Sequence, residues 1–416
     1  MTKKCNSNVI AYLAPEMPAL SATFVYEEML ALERRGLSLI PITVRKPAEP
    51  AFGCDELAAR TLCLYEGSTP VMIVKGLASL PLFDTASTKK ALRWLAADVV
   101  ELGLVNGQSW KLVFQFLAAI KLARLLKLHS CRHLHVHFAH VPAQIAMYAS
   151  ALTGIPFTIM AHANDIFERG LLLRQKAERA VCMLTISEYN RRYLEILGIP
   201  KDHLGVVRCS PSFWTKSNVN TTITKNGFRI GTLGRLVEKK GFDILIRAVA
   251  SLKKSGHAIE LLIAGDGPRR RELERLVQTL GIADITRFEG SLPHNQVADW
   301  MQQFDAFVLA CKTDKNGDMD GIPLVLMEAM AQSVPVISTR LSGIPELVMH
   351  EETGLLAEPN DSDDLARQIR RLMETPELRR KLTARAREHM AQEFGQEKNL
   401  DRLISYLNLP NRTSDK

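Results

Sequence analysis

The sequence predicts an α/β protein built of two doubly wound domains, and three observations carry that expectation. The chain has 416 residues, too many for one ordinary core and suited to two domains of about 200 residues each. Short apolar segments alternate with amphipathic helical segments along most of its length, the pattern of parallel sheets covered on both faces. Near the middle, positions 210–226 read SPSFWTKSNVNTTITKN, a stretch rich in Ser, Thr and Asn with no helical period, and so a linker. The expected division is a first domain over 1–212, a linker over 213–226, a second domain over 227–392, and a terminal helix over 393–416 that returns to the first domain.

After the linker, strands are expected at 228–233, 259–264, 285–288, 306–310 and 335–338, with helices at 242–253, 269–280, 295–303, 323–332 and 363–374. Before it, strands are expected at 9–13, 37–44, 134–138, 157–160 and 182–186, with helices at 24–35, 142–152 and 188–197 and a mostly helical stretch over 89–128. The last helical stretch, 380–407, contains Phe394-Gly395 and should bend there. Doubly wound sheets bind ligands beyond the C-terminal ends of their strands.

Composition narrows the classes. Apolar residues make up 46% and charged residues 24%, ordinary for a globular protein. The longest apolar run, 71–83, is interrupted by Lys75 and Gly76 and is too short to span a bilayer. Positions 1–8 are polar and lack the apolar stretch of a signal peptide. Seven scattered cysteines with no C-x-x-C pair indicate a reducing, cytoplasmic setting rather than a disulfide frame. Net charge is +8, of which +7 falls in residues 1–210 (24 Lys+Arg, 17 Asp+Glu). No acidic residue lies between Glu101 and Asp165, while Lys111, Lys121, Arg124, Lys127 and Arg132 do. That stretch is either a solvated basic face or a surface for an anionic partner such as a membrane.

The chemistry concentrates in four loops that follow strands of the second domain. Asp318-Met-Asp-Gly-Ile-Pro-Leu-Val-Leu-Met-Glu328 ends a loop and opens a helix. The free N–H groups and dipole of such a helix start suit phosphate or sugar hydroxyls, and a carboxylate eight residues on suits a vicinal diol. Gly234-Arg235-Leu-Val-Glu-Lys239-Lys240-Gly241 places two cations, Arg235 and Lys240, at a strand end where a pyrophosphate would lie. Ala264-Gly265-Asp266-Gly267-Pro268 and Ser342-Gly343-Ile-Pro345-Glu346 are further Gly/Pro loops at the same kind of edge.

In this order the four loops resemble those of the retaining GT-B glycosyltransferases of the "family four" group. In the first domain, Ile159-Met-Ala-His162-Ala-Asn-Asp165-Ile looks like that group's A-H-x-x-D-I segment. Leu134-His-Val-His137-Phe-Ala-His140 and Ala19-Leu-Ser21-Ala-Thr23-Phe-Val are similar to segments of its colanic acid and exopolysaccharide members. The resemblance covers nearly the whole chain. It implies a GT-B fold, two Rossmann-like domains facing a cleft, and transfer from a nucleotide-diphosphate sugar to a lipid-linked or oligosaccharide acceptor, with retention and without a catalytic metal. Glu328 would bind ribose, and Asp320 with the Gly321, Ile322, Pro323, Leu324 and Val325 backbone would hold sugar and phosphate. Arg235 and Lys240 would grip the diphosphate beside Gly267, and His162 would face the donor sugar. Two positions depart from the pattern: Asp320 stands where the family has Glu, and 14–22 contains no glycine, so the hydroxyls of Ser21 and Thr23 are expected to take over its phosphate contacts.

No cofactor, metal or nucleic acid is expected. His133, His135 and His137 alternate on one strand face, but no acid or Cys lies near them in sequence to complete a site. Asp314-x-Asn316-x-Asp318 begins like a calcium loop, yet Met319 and Val325 stand where Gly and Glu are needed. No G-x-G-x-x-G follows the first strand, which argues against a dinucleotide oxidoreductase. A nucleotide-sugar epimerase and a non-catalytic nucleotide-sugar-binding protein share the architecture and remain the rival readings.

Overall fold

The computed structural model describes residues 9–19, 22–48, 53–66, 76, 78–211 and 227–407. Ser21 and the expected linker 213–226 lie outside them. The chain divides into two units, the first formed by Met1–Ile186, Arg191–Val207 and Leu400–Lys416, the second by Ser187–Asn190 and Arg208–Asn399.

The first unit is built on a seven-stranded parallel sheet: β1 (Val9–Ala14), β2 (Ser38–Thr43), β3 (Leu62–Cys63), β4 (His133–His137), β5 (Phe157–Ala161), β6 (Cys182–Thr185) and β7 (Leu204–Val206), in the order β3-β2-β1-β4-β5-β6-β7. Strands β1, β4, β5 and β6 are buried at every position, as expected for parallel strands with helices on both faces. The strand order reverses direction between β1 and β4, which pair with Ile10 opposite His133. The stretch expected as one helical run over 89–128 is two helices, Thr85–Leu102 and Gly107–Leu128. The turn between them uses Gly103 at φ +88, and each helix starts with a side-chain cap, Asp84 accepting from the Ser87 N–H and Asn106 from the Gln108 N–H. Leu112, Phe116, Ala119, Ile120, Ala123 and Leu126 of the second helix are buried, a helical stripe that faces the core.

The second unit carries a six-stranded parallel sheet: β8 (Phe228–Leu233), β9 (Ile259–Ala264), β10 (Thr286–Gly290), β11 (Ala306–Val308), β12 (Val336–Thr339) and β13 (Leu355–Ala357), in the order β10-β9-β8-β11-β12-β13. Successive side chains of β9 enter opposite cores. Leu261 and Ile263 pack with Phe242, Ile246 and Ile369, whereas Leu262 and Ala264 pack with Trp300, Phe307 and Met330. The order reverses between β8 and β11, so the loops that leave these two strands flank the crevice where such sheets bind ligands.

The terminal helical stretch begins at Pro376, earlier than expected, and breaks at Phe394-Gly395 into Pro376–Glu393 and Gln396–Leu407. From Leu400 onward the chain groups with the first unit. There Asp401 pairs with Arg35 at 2.6 Å, and the Tyr406 ring lies so close to Gly205 that a Cβ there would come within 2.6 Å of it. The unforeseen strands β3, β7 and β13 have two or three residues each, too few to show a period of two.

Candidate functional site

In the second unit, the loops after β8 and β11 meet through an ion-pair cluster. Lys240 Nζ lies 2.8 Å from Asp320 Oδ2. Lys239 Nζ lies 2.7 Å from Asp318 Oδ2 and 3.7 Å from Asp320 Oδ1. The Cys311 thiol donates to Asp320 Oδ2 at 3.5 Å. Burial opposes charging both members of the central pair, but each partner's opposite charge outweighs it. The Lys240 amine is therefore held above its ordinary value and the Asp320 carboxyl below its own. Both are ionised at neutral pH. Arg235, on the same loop, is exposed.

Glycine makes this convergence sterically possible. Gly241 adopts φ +66, and a Cβ there would overlap the Ala310 carbonyl at the end of the β11 segment. A Cβ on Gly267 would stand 2.7 Å from both the backbone N and O of Leu236. Gly267 thus has a packing role, seating the loop after β9 on the loop after β8.

Beyond the cluster, the helix Leu324–Ala331 starts at Pro323 with no side-chain cap. Leu324, Val325 and Glu328 are half-buried, whereas Leu326, Met327, Ala329 and Met330 are buried. Positions i, i+1 and i+4 share one face, so Glu328 stands on a half-buried face with Leu324 and Val325, both of which pack against the core. Ile322 is buried and packs beneath Gly343, where a Cβ would meet its Cγ1 at 2.9 Å. Glu346 of the Ser342–Glu346 loop is engaged by protein: it accepts from the N–H groups of Glu188 and Tyr189 at 3.0 and 2.8 Å and pairs with Arg208 at 2.6 Å.

In the first unit, the crevice between β1 and β4 holds a buried polar chain. His162, just beyond β5, has Nε2 3.2 Å from His137 Nδ1. His137 Nε2 lies 3.1 Å from Glu28 Oε1 and 2.6 Å from the Tyr12 hydroxyl, which is itself 2.7 Å from Glu28 Oε1. Burial pushes His162 well below the usual imidazole value and His137 down to about 3, so both are neutral at neutral pH. Asp165 anchors the loop that carries His162, accepting from the N–H groups of Ala139 at 2.6 Å and His162 at 3.0 Å. Burial raises its carboxyl to about 6 against these hydrogen bonds. Thr23 is the first residue of the helix Thr23–Arg34, which also supplies Glu28.

Residues 215–389 match the family model described as "Glycosyl transferases group 1". The chain carries a glycosyl transferases group 1 domain. WcaL of Salmonella typhimurium, named as a colanic acid biosynthesis glycosyltransferase, is 29% identical over 413 residues, covering 96% of this chain and 99% of that protein. The amylovoran biosynthesis glycosyltransferase AmsK of Erwinia amylovora is 28% identical over 380 residues, 87% of this chain and 90% of that one. Among solved structures, Anabaena Alr3699/HepE in complex with UDP and glucose superposes with a TM-score of 0.71 at 17% identity, covering 96% of this chain and 99% of that one. That structural likeness establishes the GT-B fold.

Within the group 1 domain the structure brings Lys240 and Asp320 together and adds Lys239, Asp318 and Cys311, to which the motifs assigned no role in the site. The second lysine of the Lys-Lys pair was the available sequence signal for Lys239. One sequence argument needs correction in the first unit. Two of the three histidines of β4 do have an acid nearby: Glu28, fourteen residues past the end of β1 in the chain, is brought in by its helix, and Glu28, His135 and His137 offer ligand atoms within 4.8 Å of one another. The Tyr12 hydroxyl closes that group by hydrogen bonds to two of its three members. The basic stretch is partly engaged by the protein itself. Lys121 donates to the Cys63 and Leu64 carbonyls at 2.8 and 2.9 Å, Arg124 to the Ser79 hydroxyl at 3.0 Å, and Lys127 to the Leu82 carbonyl at 3.4 Å. Three of the five cations of that stretch thus hydrogen-bond to neighbouring loops, Arg124 and Lys127 while remaining exposed. No described helix is long and apolar enough to cross a membrane.

Proposed function

We propose that this glycosyltransferase moves a sugar, with retention, from a nucleotide-diphosphate donor to a saccharide acceptor in exopolysaccharide assembly. The observation that carries the reading is the Lys240–Asp320 pair at the switch point of the group 1 domain, flanked by exposed Arg235 and by the face bearing Glu328. Lys240, Lys239 and Arg235 offer the charge that a departing diphosphate needs. Asp320 can accept from sugar hydroxyls, the Leu324–Ala331 helix start offers N–H groups to phosphate, and Glu328 can accept from a ribose diol. His162, just beyond β5, is read as a donor-sugar contact. The names of WcaL and AmsK support the polysaccharide context.

With no carboxylate assigned as a covalent nucleophile, retention is read as a same-face substitution rather than double displacement, which uses two acids about 5 Å apart. In that route the anomeric C–O bond to the diphosphate breaks, the departing phosphate takes the proton of the acceptor hydroxyl, and the new C–O bond forms on the same face. Cations of the protein, not a metal, balance the diphosphate in this reading, and transfer should survive EDTA. We also propose a lipid-linked acceptor and peripheral contact with the anionic inner membrane face. Leu104, Val105 and Trp110, at the turn between the helices Thr85–Leu102 and Gly107–Leu128, are 68%, 97% and 71% exposed beside Lys111, an apolar tip of the kind that enters a lipid interface.

The deciding experiment is thermal stabilisation by UDP, GDP and ADP, followed by transfer assays with the matching sugar nucleotides. Stabilisation by one diphosphate and release of that diphosphate only when acceptor is present support transfer. Conversion of donor without acceptor would establish an epimerase, and binding without turnover a binding protein.

A further inference from the structure

We propose that Glu28, His135 and His137 form a zinc site inside the first unit, one that fastens the helix Thr23–Arg34 to β4. The ligand atoms come from elements far apart in the chain, Glu28 standing 109 positions before His137. Residues 135 and 137 alternate along β4 and project to one face of the sheet. Glu28 meets both of them there. Its Oε1 lies 3.1 Å from His137 Nε2 and 3.8 Å from His135 Nε2, and the three ligand atoms all lie within 4.8 Å of one another. Atoms held tetrahedrally at about 2.0–2.2 Å from one zinc ion stand about 3.4 Å apart, which falls between the two distances to Glu28.

The atom that separates this group from an ordinary hydrogen-bonded cluster is His135 Nε2. It is fully buried and has no hydrogen-bond partner among the described residues. Glu28 Oε1, at 3.8 Å, is too far to be one. A buried polar atom of this kind calls for a partner such as an ion. The opposite ring nitrogen, His135 Nδ1, lies 2.8 Å from the Thr158 hydroxyl, the manner in which a ligating imidazole is held from behind. The Tyr12 hydroxyl donates to Glu28 Oε1 at 2.7 Å and steadies the carboxylate in the same way. Burial keeps both rings neutral, the form that offers a lone pair to a metal. Burial also raises the Glu28 carboxyl, so a dication displaces a proton there as it binds. Two imidazole nitrogens and one carboxylate oxygen suit zinc, and the set holds no thiolate of the kind that selects copper(I). The Glu28 side chain is 17% exposed and the two histidines are buried, so the ion enters past Glu28. It joins a helix to a strand and supplies no charge to the diphosphate. The expectation that transfer survives EDTA therefore stands wherever the metal-free chain stays folded.

The test is calorimetric titration of the full chain with zinc after bound metal has been stripped by a chelator, with thermal melts alongside. One equivalent should bind, and saturating zinc should raise the melting temperature by about 5 °C, whereas magnesium should do neither. Glu28→Gln and His135→Asn should each weaken zinc binding about a hundredfold or more, beyond what an outer-shell change costs. Glu28→Gln keeps the shape of a half-buried side chain and decides the matter should His135→Asn fail to fold. Cobalt(II) in place of zinc should give a visible spectrum of nitrogen and oxygen ligands without a thiolate charge-transfer band. Failure of the unmodified chain to bind zinc overturns the proposal, as does unchanged zinc affinity in Glu28→Gln. A thiolate band overturns it too, because the ion would then sit on cysteine.

Discussion

Lys240 and Asp320 form an ion pair, 2.8 Å from Nζ to Oδ2, although they come from loops after two different strands, β8 and β11. With Lys239 and Asp318 they make a group of two cations and two carboxylates. A diphosphate bound to Lys240 must share it with Asp320 and lie close to that carboxylate. Asp320→Asn is therefore expected to tighten UDP or GDP binding by about tenfold, because a like charge is removed from beside the phosphate. The same variant should lose turnover, since the sugar loses its acceptor. Calorimetric titration and initial rates check both halves; weaker diphosphate binding in Asp320→Asn would remove Lys240 from the phosphate.

Arg235→Ala and Lys240→Ala are each expected to lower kcat about a hundredfold, the usual effect of losing one preorganised charge at a leaving group. Both serve one diphosphate, so the double variant should lose less than the product of the two effects. Steady-state kinetics on the three variants tests this, and full multiplication would show that the two cations act on different groups.

Glu328→Ala is expected to abolish transfer with the melting temperature nearly unchanged. The side chain stands on the half-exposed face of Leu324–Ala331, while Leu326, Met327, Ala329 and Met330 hold the helix to the core. Thermal melts and transfer assays measured together decide it, and near-normal turnover would free Glu328 of any ribose contact.

Stability should fall on acidification through the buried histidines. His133 is buried, lies 3.1 Å from the Thr158 hydroxyl, and is lowered to about 4 by burial and the nearby Arg132 charge. Its folded value lies below the unfolded value of about 6.5, so the unfolded chain binds more protons between these limits and stability is lost as pH drops from about 6.5 toward 4. His133→Asn should flatten that part of the profile. Urea midpoints at several pH values measure it; a profile parallel to the unmodified protein's would assign the acid sensitivity elsewhere.

The exposed turn between Thr85–Leu102 and Gly107–Leu128 carries the membrane proposal. Val105→Ser together with Trp110→Ser should abolish sedimentation with anionic liposomes at low salt. Lys121→Glu should act mainly through lost contacts to the Cys63 and Leu64 carbonyls, seen as a lower melting temperature. Equal recovery in the supernatant with anionic and neutral liposomes at every salt concentration would reject membrane contact.

The sequence by itself determined the two doubly wound domains and the strand ends at which their loops sit. Apolar segments such as 228–233 and 259–264 are fixed by local pattern, and the Gly, Pro and basic residues that follow them need no long-range information to be recognised. It also located the bend at Phe394-Gly395, where a Cβ on Gly395 would stand 2.8 Å from the Ala391 carbonyl. Tertiary structure alone decided which side chains meet. Strands β8 and β11 are neighbours only because the sheet reverses direction there, and that brings Lys240 to Asp320 across 80 positions of sequence. The same reversal between β1 and β4 carries Glu28 to His137, an acid that no spacing rule links to the histidines. Tertiary packing also brought Lys121, Arg124 and Lys127 within reach of loop carbonyls and a hydroxyl, contacts that no local pattern reveals because they depend on where the loops' open acceptors fall.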